Sequence, residues 1–307
     1  MVGNYFRDNY VKKITKNFTF FTNFNLKFKI FIVKNMTILF KAKSHEAYCI
    51  KILAELLANN IKTACFVIDE NGISLRMMDH HRTILIDLDL KAENFTIYKF
   101  NSKKMHLGIN LNHLHKLMRS IKKKDSLELF IDDKNPNDLA IKVIPKENNR
   151  ISTSYLKIQT VQNLDIDIPT GYVKPVIVSS SEFQKMSKDM SNIGTTMKVT
   201  AKNFQIVFHC NAGGILKRTV QFGEEETDED SIEGGSTEYS QDFLTEQLCR
   251  ITKLSGLSNN MQIYPGKPLL FRSNVGSLGK ISIYIKSKEQ IESENYSTLI
   301  ESDYSDD

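Results

Sequence analysis

Residues 63–79 have the sequence TACFVIDENGISLRMMD, and this stretch decides the fold. Apolar side chains alternate along both arms of the stretch, and the Asn71-Gly72 pair between them favours the tight turn of a β-hairpin. The residues before the hairpin instead repeat at the spacing of one helical face. These apolar positions are Ile50, Leu53, Ala54, Leu57 and Ile61. The sequence therefore predicts a helix that packs on a two-stranded hairpin.

The same order of elements recurs along the chain. A second helix is predicted at 110–121, before strands at 127–131 and 139–143. In the second half, helices predicted at 181–193 and 241–254 are each followed by strands. The helices recur roughly 130 residues apart, which indicates two similar domains. We therefore expect an α+β fold in which each domain lays two helices on one face of a largely antiparallel sheet.

An ordered set of short motifs carries a family resemblance. In chain order they are Ala64-Cys65-Phe66, Asn71-Gly72-Ile73-Ser74-Leu75, Met77-Met78-Asp79, Gly108-Ile109-Asn110-Leu111, Ile168-Pro169, Ser181-Glu182-Phe183 and Pro268-Leu269-Leu270. Their order resembles that of the proliferating cell nuclear antigen family, the eukaryotic-type DNA sliding clamps. The resemblance implies the DNA-clamp fold, with three chains forming a ring of six domains. The Lys, Asn and Ile bias fits an AT-rich genome, such as that of a large DNA virus.

The resemblance also divides the chain. We expect a basic leader at 1–35, a first clamp domain at 36–157, a connector at 158–172, a second clamp domain at 173–288 and an acidic tail at 289–307. We expect that Met36 is an alternative translation start and that the leader precedes it. The other interpretation is that the leader is a targeting peptide. Its longest apolar run is interrupted by Lys27 and Lys29, so it predicts no membrane span.

The formal charge of +5 comes from the leader, whose seven basic residues and one acidic residue leave the rest of the chain near −1. Affinity for nucleic acid must therefore come from where the charges lie. Basic side chains fall opposite the apolar stripes of three of the four helices, the first helix being the exception, whereas acidic residues concentrate at 224–230 and in the tail. The expected DNA-binding residues are Lys51, Lys116, Arg119, Lys123, Lys185, Lys188, Arg250 and Lys253. The competing interpretation is an ordinary solvated helix face.

By resemblance, partners dock in an apolar pocket beside the connector. The expected pocket residues are Met78, Thr83, Leu85, Ile166, Ile168, Pro268 and Tyr284. The alternative is that these are ordinary sheet residues. The expected partners are double-stranded DNA without sequence preference, a DNA polymerase and other proteins with short clamp-binding peptides, a clamp loader, and further copies of this chain. Lys202 falls at a position where the family has a modifiable lysine, but a single lysine does not by itself predict modification.

The chain is expected to be a DNA polymerase processivity factor, and three alternatives differ from this function. It could be a subunit of a heterotrimeric checkpoint-type clamp, or a monomeric processivity factor of the same fold. An enzyme is the third, but His80-His81 and the pair His113 and His115 are the only catalytic-looking groups, and no catalytic motif accompanies them. We expect no enzyme activity, cofactor or metal. Four widely spaced cysteines favour an intracellular setting, in a nucleus or a viral replication compartment.

Overall fold

The computed structural model describes residues 38–147, 150–162, 164–202, 204–223 and 239–303, with side chains described as far as Tyr296. The expected leader and the acidic run at 224–230 lie outside these residues. In the first half the elements are β1 Ile38–Ser44, α1 Ala47–Ala58, β2 Thr63–Ile68, β3 Gly72–Met78, β4 Ile84–Lys91, β5 Ile97–Phe100, β6 Met105–Asn110, α2 Leu111–Met118, β7 Ser126–Asp132, β8 Asp138–Ile144 and β9 Ser152–Lys157.

The second half follows a similar order of elements. They are β10 Val176–Ser179, α3 Ser180–Ser191, β11 Thr196–Lys202, β12 Gln205–Ala212, β13 Leu216–Phe222, β14 Tyr239–Leu244, α4 Thr245–Arg250, β15 Asn260–Tyr264, β16 Leu269–Val275, β17 Gly279–Ile285 and α5 Lys288–Asp303. Single 3-10 turns occur at Ala92–Asn94 and at Thr252–Gly256.

Every pairing between these strands is antiparallel, and the strands form three sheets. The largest has eight strands in the order β10-β15-β16-β17-β4-β3-β2-β6, so the pairing of β17 with β4 joins the two halves of the chain. Smaller sheets run β5-β1-β7-β8-β9 and β13-β12-β11-β14. The expected α+β arrangement of antiparallel sheets and helices is confirmed.

Alternation along the strands gives the eight-stranded sheet two different apolar faces. One cross-strand row joins Ile263, Phe271, Ile283, Ile86 and Met77, all of which belong to or pack against the main core. On this face the ring of Phe183 from α3 lies 5.3 Å from that of Phe271, so the helices cover it. The next row along faces the opposite way and carries a separate apolar cluster.

Three of the helices in the described part of the chain begin at a side-chain cap. The side chain of Asn110 accepts a hydrogen bond from the backbone N–H of His113 at the start of α2, and Ser179 does the same for Glu182 at the start of α3. At α5, Ser287 and Gln290 bond each other's backbone N–H groups as a capping box.

The fourth helix differs from the prediction at 241–254. Residues Tyr239–Leu244 instead form strand β14, which pairs with β11, and the helix is only the six residues Thr245–Arg250 before a 3-10 turn. Phe243 is fully buried as expected, but from a strand. Pairing with a neighbouring strand has overridden the local helical spacing.

Candidate nucleic-acid interface and partner pocket

The helices of the two halves form one continuous row. Helix α1 packs against α2 on one side and against the 3-10 turn after α4 on the other, while α3 packs against α4 and the same turn. At the junction of the halves, the ammonium of Lys253 lies 2.7 Å from the carboxylate of Glu55 on α1. The side of the row that faces away from the sheets is therefore one surface contributed by both halves.

Five of the eight predicted DNA-binding residues are exposed; Lys185 is one of them and pairs with a carboxylate, and the other four are as follows. Lys116 and Arg119 lie at the end of α2, Lys123 follows it, and Lys188 lies on α3. The salt bridges found among the described residues include none of these four. Their charges are consequently available to an external anion such as a phosphate backbone.

The other four predicted residues have partners within the chain. Lys51 donates to the backbone carbonyls of Arg119 and Ile121, at 2.8 and 3.0 Å. Lys185, Lys253 and Arg250 each pair with a carboxylate. In Lys185 the hydrogen bond to Glu182 raises the pKa of the ammonium. These residues stabilise the helix row and neutralise its carboxylates as much as they add positive charge to its surface.

The exposed positive charge is densest just after α2. Lys122 and Lys124 flank Lys123 and are exposed like it, so three consecutive lysines follow the helix. The helical-wheel reasoning selected Lys123 and missed the lysines on either side of it. The run of three lysines in the sequence is the signal that could have found them.

On the opposite face of the eight-stranded sheet lies the second apolar cluster, which we call the outer band. Its cross-strand row joins Tyr264, Leu270, Tyr284, Leu85 and Met78 across five neighbouring strands. Leu85, Leu270 and Tyr284 are buried at its centre. The connector covers the row through three residues that pack on it, namely Ile166, Ile168 and Tyr172.

Five of the seven predicted pocket residues thus meet in one cluster, and the other two lie at its margins. Thr83 is in the turn between β3 and β4, bonded to Asp79. The carbonyl of Pro268 accepts the hydroxyl of Tyr172 at 2.7 Å. Sequence reasoning missed Leu270, Tyr172 and Tyr264, although Leu270 alternates with the core residues on either side of it in β16.

The connector is fixed to the sheet at three points. The backbone N–H of Gln159 donates to the carbonyl of Gly108 at 2.8 Å, Arg76 donates to the carbonyl of Ile166 at 3.3 Å, and Tyr172 anchors the far end. Burial raises the pKa of the Tyr172 and Tyr284 phenols, so both stay neutral at physiological pH. An apolar groove with a few fixed polar groups is suited to short peptides.

A cleft of about 460 Å³ opens beside the outer band. Three parts of the chain surround it: the end of β3 with the turn that follows, the connector, and the start of α5 with the residues just before it. The lining residues are Arg76, Met77, Met78, Asp79, His80, Arg82, Gln162, Leu164, Asp165, Ile166, Lys286 and Glu294. Met78 and Ile166 belong to both the cleft and the outer band, so an anchor in the band can continue into the cleft.

Comparison with known proteins places this arrangement in a family. The family pattern described as proliferating cell nuclear antigen, N-terminal domain, matches residues 39–168, and that of the C-terminal domain matches residues 168–288. The chain belongs to the proliferating cell nuclear antigen family. The two patterns meet at Ile168, inside the connector, and the second ends where α5 begins.

Individual relatives agree with the family assignment. The chain is 27% identical over 256 residues to the proliferating cell nuclear antigen of Chaetomium thermophilum, covering 81% of this chain and 97% of that one. It is 24% identical over 255 residues to a probable DNA polymerase sliding clamp of Paramecium bursaria Chlorella virus 1, covering 81% and 96%. The crystal structure of proliferating cellular nuclear antigen from Entamoeba histolytica superposes with a TM-score of 0.71 at 19% identity, over 82% of this chain and all of that one. The expected clamp fold is confirmed.

The residues considered for catalysis or metal binding are placed as follows. His80 and His81 are exposed in the β3–β4 turn with ring centroids 5.2 Å apart. Within the described ranges, no three His, Cys, Asp or Glu side chains are grouped so that they could hold a metal ion. The helices in the described part of the chain include none long and apolar enough to cross a membrane.

Proposed function

We propose that this chain is a DNA sliding clamp that encircles duplex DNA and tethers polymerase to it. The chain is a processivity factor of the proliferating cell nuclear antigen family. The observation that carries the proposal is the continuous row of helices across both halves. Lysines without a salt bridge lie on the exposed side of this row, and the apolar outer band lies on the opposite face of the eight-stranded sheet.

Ring closure would use two exposed strand edges. Strand β9 is an edge strand of the five-stranded sheet, and β13 is an edge strand of the four-stranded sheet. Both carry mostly exposed side chains. Tyr155 on β9 and Leu216 on β13 are large apolar residues that are more than half exposed. Unpaired edges of this kind pair readily with another strand. Because the two edges differ, a head-to-tail contact between copies closes into a ring when the rotation permits, here a trimer.

The helix row would line the channel of this ring. Loose attraction between Lys116, Arg119, Lys122–Lys124 and Lys188 and the phosphates requires no base contact, so it is independent of sequence and permits sliding. The segregation of acidic residues elsewhere would keep the remaining surface from competing for the DNA. A clamp loader would open the ring, and the work would take place at replication sites inside the cell, in a nucleus or a viral replication compartment.

Partner proteins would dock at the outer band with short peptides. An aromatic or aliphatic anchor would enter between Met78, Leu85 and Tyr284, while the connector supplies Ile166 and Ile168 as the other wall. Buried apolar anchors of this kind supply most of the affinity in peptide recognition. Polymerase and other replication or repair proteins are the expected partners.

Retention on DNA of different topology tests encirclement. After loading onto nicked circular DNA the clamp should remain bound in high salt, and a single cut that linearises the DNA should release it. Equal dissociation from circular and linear DNA would instead support a monomeric processivity factor that holds DNA by charge. A requirement for two different companion chains would support the heterotrimeric clamp.

A further inference from the structure

The β3–β4 turn at the rim of the outer band is built around a buried carboxylate. The side chain of Asp79 is only 2% exposed. Its Oδ1 accepts the backbone N–H groups of Thr83 and Ile84 at 2.7 and 2.9 Å, and its Oδ2 accepts the Thr83 hydroxyl at 3.2 Å. Arg82 in the same turn has a left-handed φ of 55°, which is a strained conformation for a residue other than glycine. The carboxylate therefore organises a turn that would not hold this shape unaided.

A buried carboxylate needs a compensating positive charge, and here the charge comes from the other half of the chain. Nη1 of Arg250, on α4, lies 3.4 Å from Oδ2 of Asp79. Its Nη2 pairs with Oε1 of Glu246 one turn earlier on the same helix, at 2.5 Å. A buried charge left without its partner is strongly destabilising. The turn thus depends on a residue 171 positions away in the sequence.

The environment of Arg250 argues against a simple role as a phosphate contact. Its side chain is 27% exposed, and both of its terminal nitrogens already have carboxylate partners. The backbone of the same residue contacts the end of α1, because its carbonyl accepts the side-chain amide of Asn60 at 3.5 Å. Arg250 therefore lies where the helix row, the junction between the halves and the β3–β4 turn meet.

We propose that Arg250 is a positioning residue that fixes the partner pocket from the helix row. By neutralising Asp79 it would hold the turn so that Met78 and Thr83 stand at the rim of the outer band. The inference rests on the proposed function of that band as a peptide-binding pocket. It gives an ionic contact between the DNA-facing helices and the partner-facing surface.

The test compares Arg250→Gln with Glu246→Gln, which removes the other partner of the same guanidinium and leaves Asp79 paired. In the free chain, hydrogen exchange at the amides of residues 79–84 should become about tenfold faster in Arg250→Gln, while exchange in β12 and β13 stays unchanged. Glu246→Gln should exchange as the wild type does. Arg250→Lys keeps the charge and should restore part of the protection, and it serves as the second variant if Arg250→Gln folds poorly.

Peptide binding supplies the functional measurement. A labelled synthetic peptide with aromatic and aliphatic anchors should bind Arg250→Gln about fivefold more weakly than wild type, and Glu246→Gln normally. Wild-type exchange at residues 79–84 in Arg250→Gln would overturn the inference, and so would faster exchange with unchanged peptide affinity. Failure of the wild-type chain itself to bind the peptide would instead refute the proposed pocket, and the inference about it would fall for that separate reason.

Discussion

Adding a single methyl group at Gly108 should detach one end of the connector from the sheet. Gly108 lies in β6, and a Cβ at this position would come within 2.2 Å of the carbonyl oxygen of Gln159 and 2.6 Å of a methyl group of Val161. Ordinary contact distances are about 3.5 Å, so in Gly108→Ala the connector backbone must move by roughly 1 Å. The 2.8 Å hydrogen bond from the Gln159 amide to the Gly108 carbonyl does not survive such a shift.

The expected cost is local. Losing the hydrogen bond removes about 1 kcal/mol, and relief of the overlap adds about 1 kcal/mol or more. The sum of about 2 kcal/mol corresponds to a roughly 30-fold faster opening of this end of the connector. The main core is untouched, so the melting temperature should change little. Peptide affinity at the outer band should fall, because Ile166 and Ile168 lose part of their support.

Hydrogen exchange at the Gln159 amide measures this opening directly. Gly214→Ala is the matched control, because nothing lies within 4 Å of its added methyl and only its positive φ of 85° is strained. The control should leave exchange at Gln159 unchanged. Wild-type exchange at Gln159 in Gly108→Ala would refute the docking of the connector, and equal acceleration throughout the first half would refute its local character.

Three further results are expected. Changing both Lys116 and Lys188 to Gln should make the salt dependence of binding to duplex DNA shallower, by roughly 0.9 in logarithmic slope for each lost phosphate contact, and an unchanged slope in anisotropy titrations would exclude these lysines from the interface. Tyr284→Ala should weaken peptide binding about tenfold or more while Tyr284→Phe keeps it, since the ring fills the centre of the outer band; equal affinities in calorimetry would contradict that role. Burial raises the pKa of the Cys49 thiol to about 12, so little thiolate forms and a maleimide should label Cys49 far more slowly than the half-buried Cys249. Mass spectrometry that finds both cysteines labelled at one rate would show that Cys49 is not enclosed.

Regular alternation is what made much of the fold predictable. The stretch at 63–79 became β2 and β3 around the Asn71-Gly72 turn, because a hairpin's periodicity and its turn chemistry both lie within a few residues. The pocket residues taken from the family resemblance also meet, because one outward-facing row crosses the strands that carry Met78, Leu85 and Tyr284.

Features that depend on distant neighbours were not predictable. Residues 241–244 have spacing suited to a helix, yet pairing with β11 makes them a strand. A helical wheel puts Arg250 at the margin of a basic face, but it cannot show that the guanidinium reaches Asp79. Nor can it show that Lys51 is bonded to carbonyls at the end of α2. Such contacts depend on tertiary packing, which local periodicity does not encode.

The mass of the purified chain in solution tests the central claim most directly. A sliding clamp built from this chain alone should scatter light as a particle of three times the 35.2 kDa chain mass. The particle should still contain three chains after removal of residues 1–35, because the proposed contacts are made by β9 and β13. A stable particle of one chain mass would contradict the account.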